Sequence, residues 1–507
     1  MSSVRIGLDI GTTAIKAAAY AASGRIVARA EAPSHSQTAP GGQSAQDMNS
    51  VWTRVASTLQ ALTRQLGGAK IASIGVCGQG DGLWLLDVDG QPVGPAMLWN
   101  DTRAARDLAT LERSGATDAV GLACHTALWP GTSGSLWRWL CQNAPDRAER
   151  AAHAITCADW IGFRLTGQIA TDYSNASIPF LDLGTRRYSD AALAALDCTG
   201  LRACLPDPRP ADSLLGAVTP EAATATGLPP GVPVNVPTLD LAAMIVGMGL
   251  KAPGECMFIM GTTAVVNILT DAVSPSPRPV GASALHPCAD TIIRILAPTT
   301  GTGAFDWFAG LHPLSLGGAD TAEVAEKLNA LVRAVPPGAH GVTFLPYLNG
   351  ERAPFVAPEI AGAFHGLRST TTKADMGRAV MEGTALSLRH CLNAEGYRAQ
   401  GNVKLAGGGS RNPVWTQIIA DVTGTSVSVA DASDHGLWGA ACLGAAAAGL
   451  GDAMALAERS EAAQVFQPEA EAAARYDAVF DRYRTLSDFA RQLERSLSQA
   501  QDHACAT

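Results

Sequence analysis

Apolar positions fall into short runs separated by turn residues from the first residues of the chain onward. Arg5 to Asp9 predicts a strand, Gly11-Thr12-Thr13 a tight turn, and Ile15 to Tyr20 a second strand. Ser23-Gly24 then turns the chain into a third strand at Arg25 to Ala30. The pattern returns near the middle, where Cys256 to Met260 and Ala264 to Leu269 flank Gly261-Thr262-Thr263. Leu8-Asp9-Ile10-Gly11-Thr12-Thr13-Ala14 is thus echoed by Phe258-Ile259-Met260-Gly261-Thr262-Thr263-Ala264. An echo half a chain away predicts two similarly built halves facing a cleft. Strands at Ile71 to Cys77 and Leu83 to Asp87 alternate with helices at Ser50 to Leu66, Asp101 to Arg113 and Ser133 to Gln142, a mixed α/β pattern. Leu205 to Pro233 carries turn signals and ends in the strand Val234 to Pro237, which sets a domain boundary near 235–252 and predicts domains 1–240 and 241–507. Further helices are predicted at Leu241 to Leu250, Thr321 to Ala334, Lys373 to Gly396, Trp415 to Val422 and Glu469 to Ser496.

A chain of 507 residues exceeds the size at which one core keeps growing, which agrees with two domains. The net charge of -9 offers no basic face for nucleic acid or anionic lipid, so neither is an expected partner. Eleven scattered cysteines without CxxC pairs predict reduced thiols in a cytoplasmic protein. The Ala/Gly-rich run Gly436 to Leu456 is broken by Gly451 and Asp452, and is read as a tightly packed helix rather than a membrane span.

Several segments could carry phosphoryl transfer from a nucleotide to a hydroxyl, which needs phosphate-cradling turns and two kinds of carboxylate. Asp9 ends an apolar strand before a Gly-Thr-Thr turn, where it could face a phosphate or merely cap the turn. Gly261-Thr262-Thr263 and Thr300-Gly301-Thr302-Gly303 are turns of the same chemistry. Leu405 to Pro413 leads a strand through Gly407, Gly408 and Gly409 to Asn412 at a helix N-cap, a place for a nucleotide. Its spacing matches neither a P-loop nor a dinucleotide fingerprint. Asp240 follows a strand and precedes an apolar helix, as a general base or an ordinary N-cap aspartate. Gln79, Gly80 and Asp81 sit in a Gly-rich loop that could contact a polyhydroxy ligand or be a solvated hairpin. Asp101 and Arg103 form another polar cluster, while Trp129, Trp137 and Trp139 line a pocket or pack a helix.

Together these motifs resemble the FGGY family of carbohydrate kinases over nearly the whole chain. Gly7 to Thr13 looks like the family's opening phosphate motif, and Gln46-Asp47 with Trp52 looks like its early landmarks. Phe344 to Pro354 resembles its "PYLxGERxP" stretch, and Gly407 to Gly424, with Gln417, Ala420 and Asp421 in place, resembles its long C-terminal signature. The resemblance implies a two-domain actin-like (ribonuclease H-like) α/β fold with a central interdomain cleft, using ATP and Mg²⁺. It implies Asp240 as catalytic base, and Asp9 beside the metal and the transferring phosphate, with both carboxylates toward Mg²⁺. Thr12, Thr13, Gly261, Thr262, Thr263, Gly301, Thr302 and Gly303 would hold ATP phosphates. Gly407, Gly408 and Asn412 would flank the adenosine. Gln79, Gly80, Asp81, Asp101, Arg103 and Asp240 would contact the sugar.

Xylulokinases typically read Gln-Met-His-Gly where this chain has Gln79-Gly80-Asp81-Gly82, and Asp-Asn where it has Asp240-Leu241. The latter is more similar to L-xylulose kinases, while the Gly-Gln-Gly-Asp-Gly run also resembles erythritol kinases. A carboxylate at 81 is expected to supply acceptors only, suiting polyol hydroxyls over phosphorylated or carboxylated sugars. The expectation is a pentulose kinase, with an erythritol- or glycerol-type polyol kinase as alternative. A non-catalytic actin-like nucleotide-binding protein and a sugar-binding regulator are the rivals of other classes. A small-molecule sugar or polyol is the expected partner, with a homodimer left open.

Overall fold

The computed structural model describes residues 3–311, 329–397, 401–429, 434–458 and 464–505. Most of the helix expected from Thr321 to Ala334 lies outside them. The opening meander is present as β1 (Val4–Ile10), β2 (Ala14–Tyr20) and β3 (Ile26–Pro33), paired antiparallel in that order. Helix α1 (Met48–Gln65) begins at Asp47, whose side chain accepts the Ser50 N–H at 2.7 Å. Its buried Val51, Trp52, Val55, Leu59 and Leu62 recur every three or four residues, so a single apolar stripe is removed from water. Strand β4 (Ile71–Gly78) lies parallel to β1 and is buried on both faces, which explains its unbroken apolar run.

Helices α2 (Cys157–Thr166) and α3 (Tyr173–Phe180), strands β5 (Leu214–Ala217), β6 (Pro233–Asn235) and β7 (Thr238–Leu239), and helix α4 (Asp240–Gly247) follow. The sheet order is β5–β6–β4–β1–β2–β3, and β7 also pairs with β4. Leu8, Val76, Leu59 and Trp160 belong to one buried cluster of this first unit.

The second unit opens with β8 (Cys256–Met260) and β9 (Ala264–Thr270), an antiparallel hairpin, and continues through α5 (Lys373–Ala394), β10 (Val403–Ala406), α6 (Pro413–Thr423) and β11 (Val427–Val429). Strand β8 has an antiparallel hairpin partner and a parallel neighbour, β10, just as β1 has β2 and β4. The sequence echo therefore corresponds to a repeated strand arrangement.

The chain next forms α7 (His435–Ala447), then β12 (Gln464–Phe466) and α8 (Ala470–Cys505). Contacts group Met1–Pro253 with Leu269–Ile293 and Asp434–Ser460, and Gly254–Ile268 with Arg294–Ser433 and Glu461–Thr507. Beside the boundary expected near 235–252, Leu269–Ile293 and the segment carrying α7 also group with the first unit.

Glycines explain how α7 gets so close. A methyl group at Gly75 would lie 1.7 Å from the Ala440 carbonyl oxygen, and one at Gly7 would lie 1.9 Å from that of Leu437. One at Gly439 would lie 1.8 Å from the Ala243 oxygen, and one at Gly247 would lie 1.9 Å from that of His435. The Ala/Gly-rich run is a backbone-to-backbone packing surface against β1, β4 and α4. No described helix is long and apolar enough to cross a membrane. We expect Gly75→Ala to lose more than the ~1–3 kcal/mol of ordinary overpacking. At Gly310 an added methyl meets nothing within 4 Å, and Gly310→Ala should be neutral or slightly stabilising. Urea denaturation of the two variants measures the contrast, and equal midpoints would contradict this packing.

Candidate active site

Parallel pairing brings three carboxylates of the first unit to one sheet edge. Asp9 of β1 and Thr238 of β7 both stand opposite Cys77 of β4, so the three strands end at the same level. Asp9 emerges there, the loop carrying Gln79, Gly80 and Asp81 leaves β4, and Asp240 follows β7 directly. The carboxyl edge of parallel strands is where open α/β sheets bind ligands. Asp240 is the first residue of α4 rather than its N-cap, which is Leu239, and its Oδ1 accepts the Leu241 N–H at 2.6 Å.

Burial raises the proton affinity of all three groups, and the charge of Asp240 raises that of the other two further. Burial, and then the charge of Asp240, push Asp9 up to about 7, against the pull of Lys16 and a hydrogen bond from Cys77. Burial and Asp240 push Asp81 up to about 8. Burial pushes Asp240 up to about 6, opposed by the Leu241 N–H. Asp81 is therefore largely protonated at neutral pH and donates as well as accepts, which departs from the acceptor-only expectation. Its φ of 56° lies in the left-handed region, which Asp and Asn tolerate better than most residues.

Asp9 Oδ1 is buried and has no hydrogen-bond partner. A methyl at Gly436 in α7 would sit 4.0 Å from Asp9 Oδ2 and 3.8 Å from the Asp240 carbonyl oxygen, so this glycine keeps the corner open. An unpartnered carboxylate oxygen with a second carboxylate nearby fits a hard cation such as Mg²⁺. Among the described residues no group of three or more His, Cys, Asp or Glu could hold a metal. Mg²⁺ is commonly bound through one or two carboxylates together with substrate phosphates, so the residues fit it.

Other expected site residues are committed to protein partners. Thr12 donates its hydroxyl to Gln79 Oε1 at 2.8 Å and accepts the Trp99 indole N–H at 3.0 Å. Gln79 Nε2 donates to Gln46 Oε1 at 2.8 Å, and Gln46 donates to Ser34 Oγ at 2.9 Å. The Gln79 amide thus positions the phosphate-type turn and takes the Thr12 hydroxyl proton. Thr13 stays exposed, its carbonyl accepting the Ser34 N–H at 2.8 Å. A side chain at Gly80 would strike Leu239 Cδ1 at 2.2 Å. Asp101 is fully buried and accepts from Ser44 N, Arg103 N, Arg103 Nε and Arg103 Nη2 at 2.7–3.0 Å. Arg103 also lies 4.8 Å from the Trp139 ring centroid, so the pair braces a loop.

In the second unit the two Gly-Thr turns are stitched together. Gly301 N and Gly303 N donate to Thr262 O, and Thr302 N donates to Gly261 O, at 2.7–3.2 Å. A methyl at Gly301 would lie 2.4 Å from Gly261 O. The N–H groups of Gly301, Thr302 and Gly303 are therefore spent, while Thr262 and Thr263 remain exposed. Gly407 has φ 89° and a methyl there would meet Met260 O at 2.6 Å, whereas Gly408 faces open space. Asn412 caps α6 by accepting Val414 N and Trp415 N, and its Nδ2 donates to Asn329 Oδ1 at 2.9 Å. Sequence reasoning gave Glu351 no role, yet it is buried and its Oε1 accepts the N–H groups of Thr299, Arg352 and Ala353 at 2.8–3.3 Å. It anchors the residue just before the Thr300–Gly303 turn. The signal lay in an acid between Gly350 and Arg352 inside a motif already singled out.

The FGGY family of carbohydrate kinases, N-terminal domain, matches residues 4–247, and its C-terminal domain matches residues 256–448. The chain belongs to the FGGY family. A xylulose kinase of Streptomyces rubiginosus is 33% identical over 97% of each chain. An erythritol kinase of Brucella abortus is 30% identical over 94% of this chain and 95% of its own. The solved structure of a xylulose kinase from Rhodospirillum rubrum has a TM-score of 0.87 at 26% identity, covering 97% of this chain and all of that one. This FGGY kinase is a phosphotransferase with an alcohol group as acceptor and has the two-domain actin-like fold. ATP is the family's phosphate donor.

One consequence is measurable without turnover. A buried carboxyl whose folded pKa is raised contributes stability that is present at low pH and lost as pH rises through the folded value. For Asp81 that window runs from about 4 to about 8. Asp81→Asn should melt higher than wild type at pH 8, with the gap closing toward pH 4. A melting difference independent of pH would contradict the burial of this carboxyl.

Proposed function

We propose that this FGGY kinase phosphorylates a hydroxyl of a small neutral sugar, a pentulose of the xylulose type, with Asp240 as general base. The observation that carries the reading is the convergence of Asp9, Asp81 and Asp240 at one sheet edge. The sugar hydroxyl gives its proton to the Asp240 carboxylate as its oxygen attacks the γ-phosphorus of ATP. The bond from that phosphorus to the ADP oxygen breaks, and ADP leaves. Asp240 suits this task because its affinity for a proton is raised toward neutrality without leaving it fully protonated at pH 7. Asp9 and Asp240 would hold Mg²⁺, which when bound offsets negative charge on the phosphates.

In the second unit the exposed Thr262 and Thr263 and the open Gly408 are accessible to a nucleotide, and in the first unit the exposed Thr13 is. Gln79 and Asp101 hold neighbouring residues through their hydrogen bonds. An erythritol-type polyol is the second reading, favoured by Gly80-Asp81, where a small residue and a donor-acceptor carboxyl suit a chain of hydroxyls. The names of the xylulose and erythritol kinase relatives support both substrates. The described cysteines are free thiols, which fits a reducing, cytoplasmic setting.

A coupled ADP-release screen across D- and L-pentuloses, erythritol, threitol and glycerol tests the substrate class. On the best substrate, Asp240→Asn should lower turnover by about 100- to 10,000-fold, the range of general-base catalysis. Near-normal turnover would remove Asp240 from the mechanism.

A further inference from the structure

One polar side chain of the first unit is buried beside the carboxylate cluster and pairs with nothing. Asn175 in the first turn of α3 is 7% exposed, and neither its Oδ1 nor its Nδ2 has a hydrogen-bond partner. A buried amide left unpaired costs on the order of 1–3 kcal/mol per group, so a bound ligand or an ordered water completes it. The amide lines a cavity of about 40 Å³ whose other walls include Asp81, Asp159, Thr171 and Phe180. Neither Asp9 nor Asp240 lines that cavity.

The amide is held in a fixed relation to the base. The Asn175 N–H donates to Asp172 Oδ1 at 2.9 Å, while Asp172 Oδ2 accepts from Ser174 Oγ at 2.7 Å and from Thr238 Oγ1 at 2.8 Å. Thr238 lies in β7, two residues before Asp240. The absence of a side chain at Gly80 also matters, because a methyl there would stand 3.7 Å from Asn175 Oδ1 as well as against Leu239. The glycine therefore leaves space between the amide and the strand end that presents the base.

The chemistry of the cavity specifies what it accepts. Asn175 offers one donor and one acceptor side by side, Asp81 a carboxyl, and Asp159 its Oδ1, the Oδ2 being taken by the Thr156 N–H at 3.0 Å. A hydroxyl, which both donates and accepts, satisfies such a set. The cavity has room for a hydroxymethyl end.

We infer that Asn175 is a specificity-determining residue that reads a neutral hydroxyl at the end of the substrate distal to the transferred phosphoryl group. This rests on the small-sugar reading above and deepens it, since it names the side chain that reads one end of the sugar. Asn175→Ala and the isosteric Asn175→Asp would be compared with wild type, using D-xylulose, L-xylulose and erythritol as probes, by ADP release and by calorimetric sugar binding without nucleotide. For the probe that wild type uses best, both variants should raise the sugar KM at least tenfold and leave the ATP KM within twofold, and Asn175→Ala should keep the wild-type melting temperature. A sugar KM within twofold of wild type in both variants would overturn the inference and mean that the amide holds only ordered water. Wild type that binds a probe yet releases no ADP, with binding lost in the variants, would sink the phosphorylation of that sugar while upholding the role of Asn175.

Discussion

Three acidic side chains in one poorly solvated corner are an electrostatic liability, and much of the first unit is arranged so that they stay there. Asp9, Asp81 and Asp240 arrive at the corner because β1, β4 and β7 run parallel and end level. Helix α7 closes the corner because glycines on both sides let backbones touch, leaving at Gly436 the gap next to Asp9. Burial, reinforced at Asp9 and Asp81 by the charge of Asp240, keeps protons on these groups at a pH where ordinary carboxylates have lost them, which is the property a general base and a metal-facing acid need.

The same local solution occurs in each unit and is used differently. The hairpin around Gly11-Thr12-Thr13 is fixed by a side-chain relay through Gln79 and Gln46, whereas that around Gly261-Thr262-Thr263 is fixed by backbone bonds from Gly301 to Gly303. In both cases the turn is rigid and its outer threonine is exposed. Rigidity matters, because a turn that is already ordered loses little entropy on meeting a phosphate.

Much of the scheme was legible in the sequence. Periodicity gave the meander, α1 and α5 to within a few residues, and the echo of Leu8–Ala14 at Phe258–Ala264 corresponded to a repeated strand topology. Asp9 and Asp240 could be singled out because each sits where a strand gives way to a turn or helix. What stayed hidden were relations between distant residues. That α7 joins the first unit depends on Gly75 and Gly439 meeting carbonyls hundreds of residues away, and composition shows only that the helix is small-faced. That Ser44 and Arg103 bond both oxygens of Asp101 is seen only in the fold. Asn175 gave no signal, since an unpaired amide is defined by what surrounds it.

A crystal structure of the protein with its best sugar substrate and a non-hydrolysable ATP analogue tests the central claim most directly. The account requires a substrate hydroxyl within hydrogen-bond distance of the Asp240 carboxylate. A sugar bound elsewhere, with Asp240 touching neither it nor the phosphates, would contradict the account.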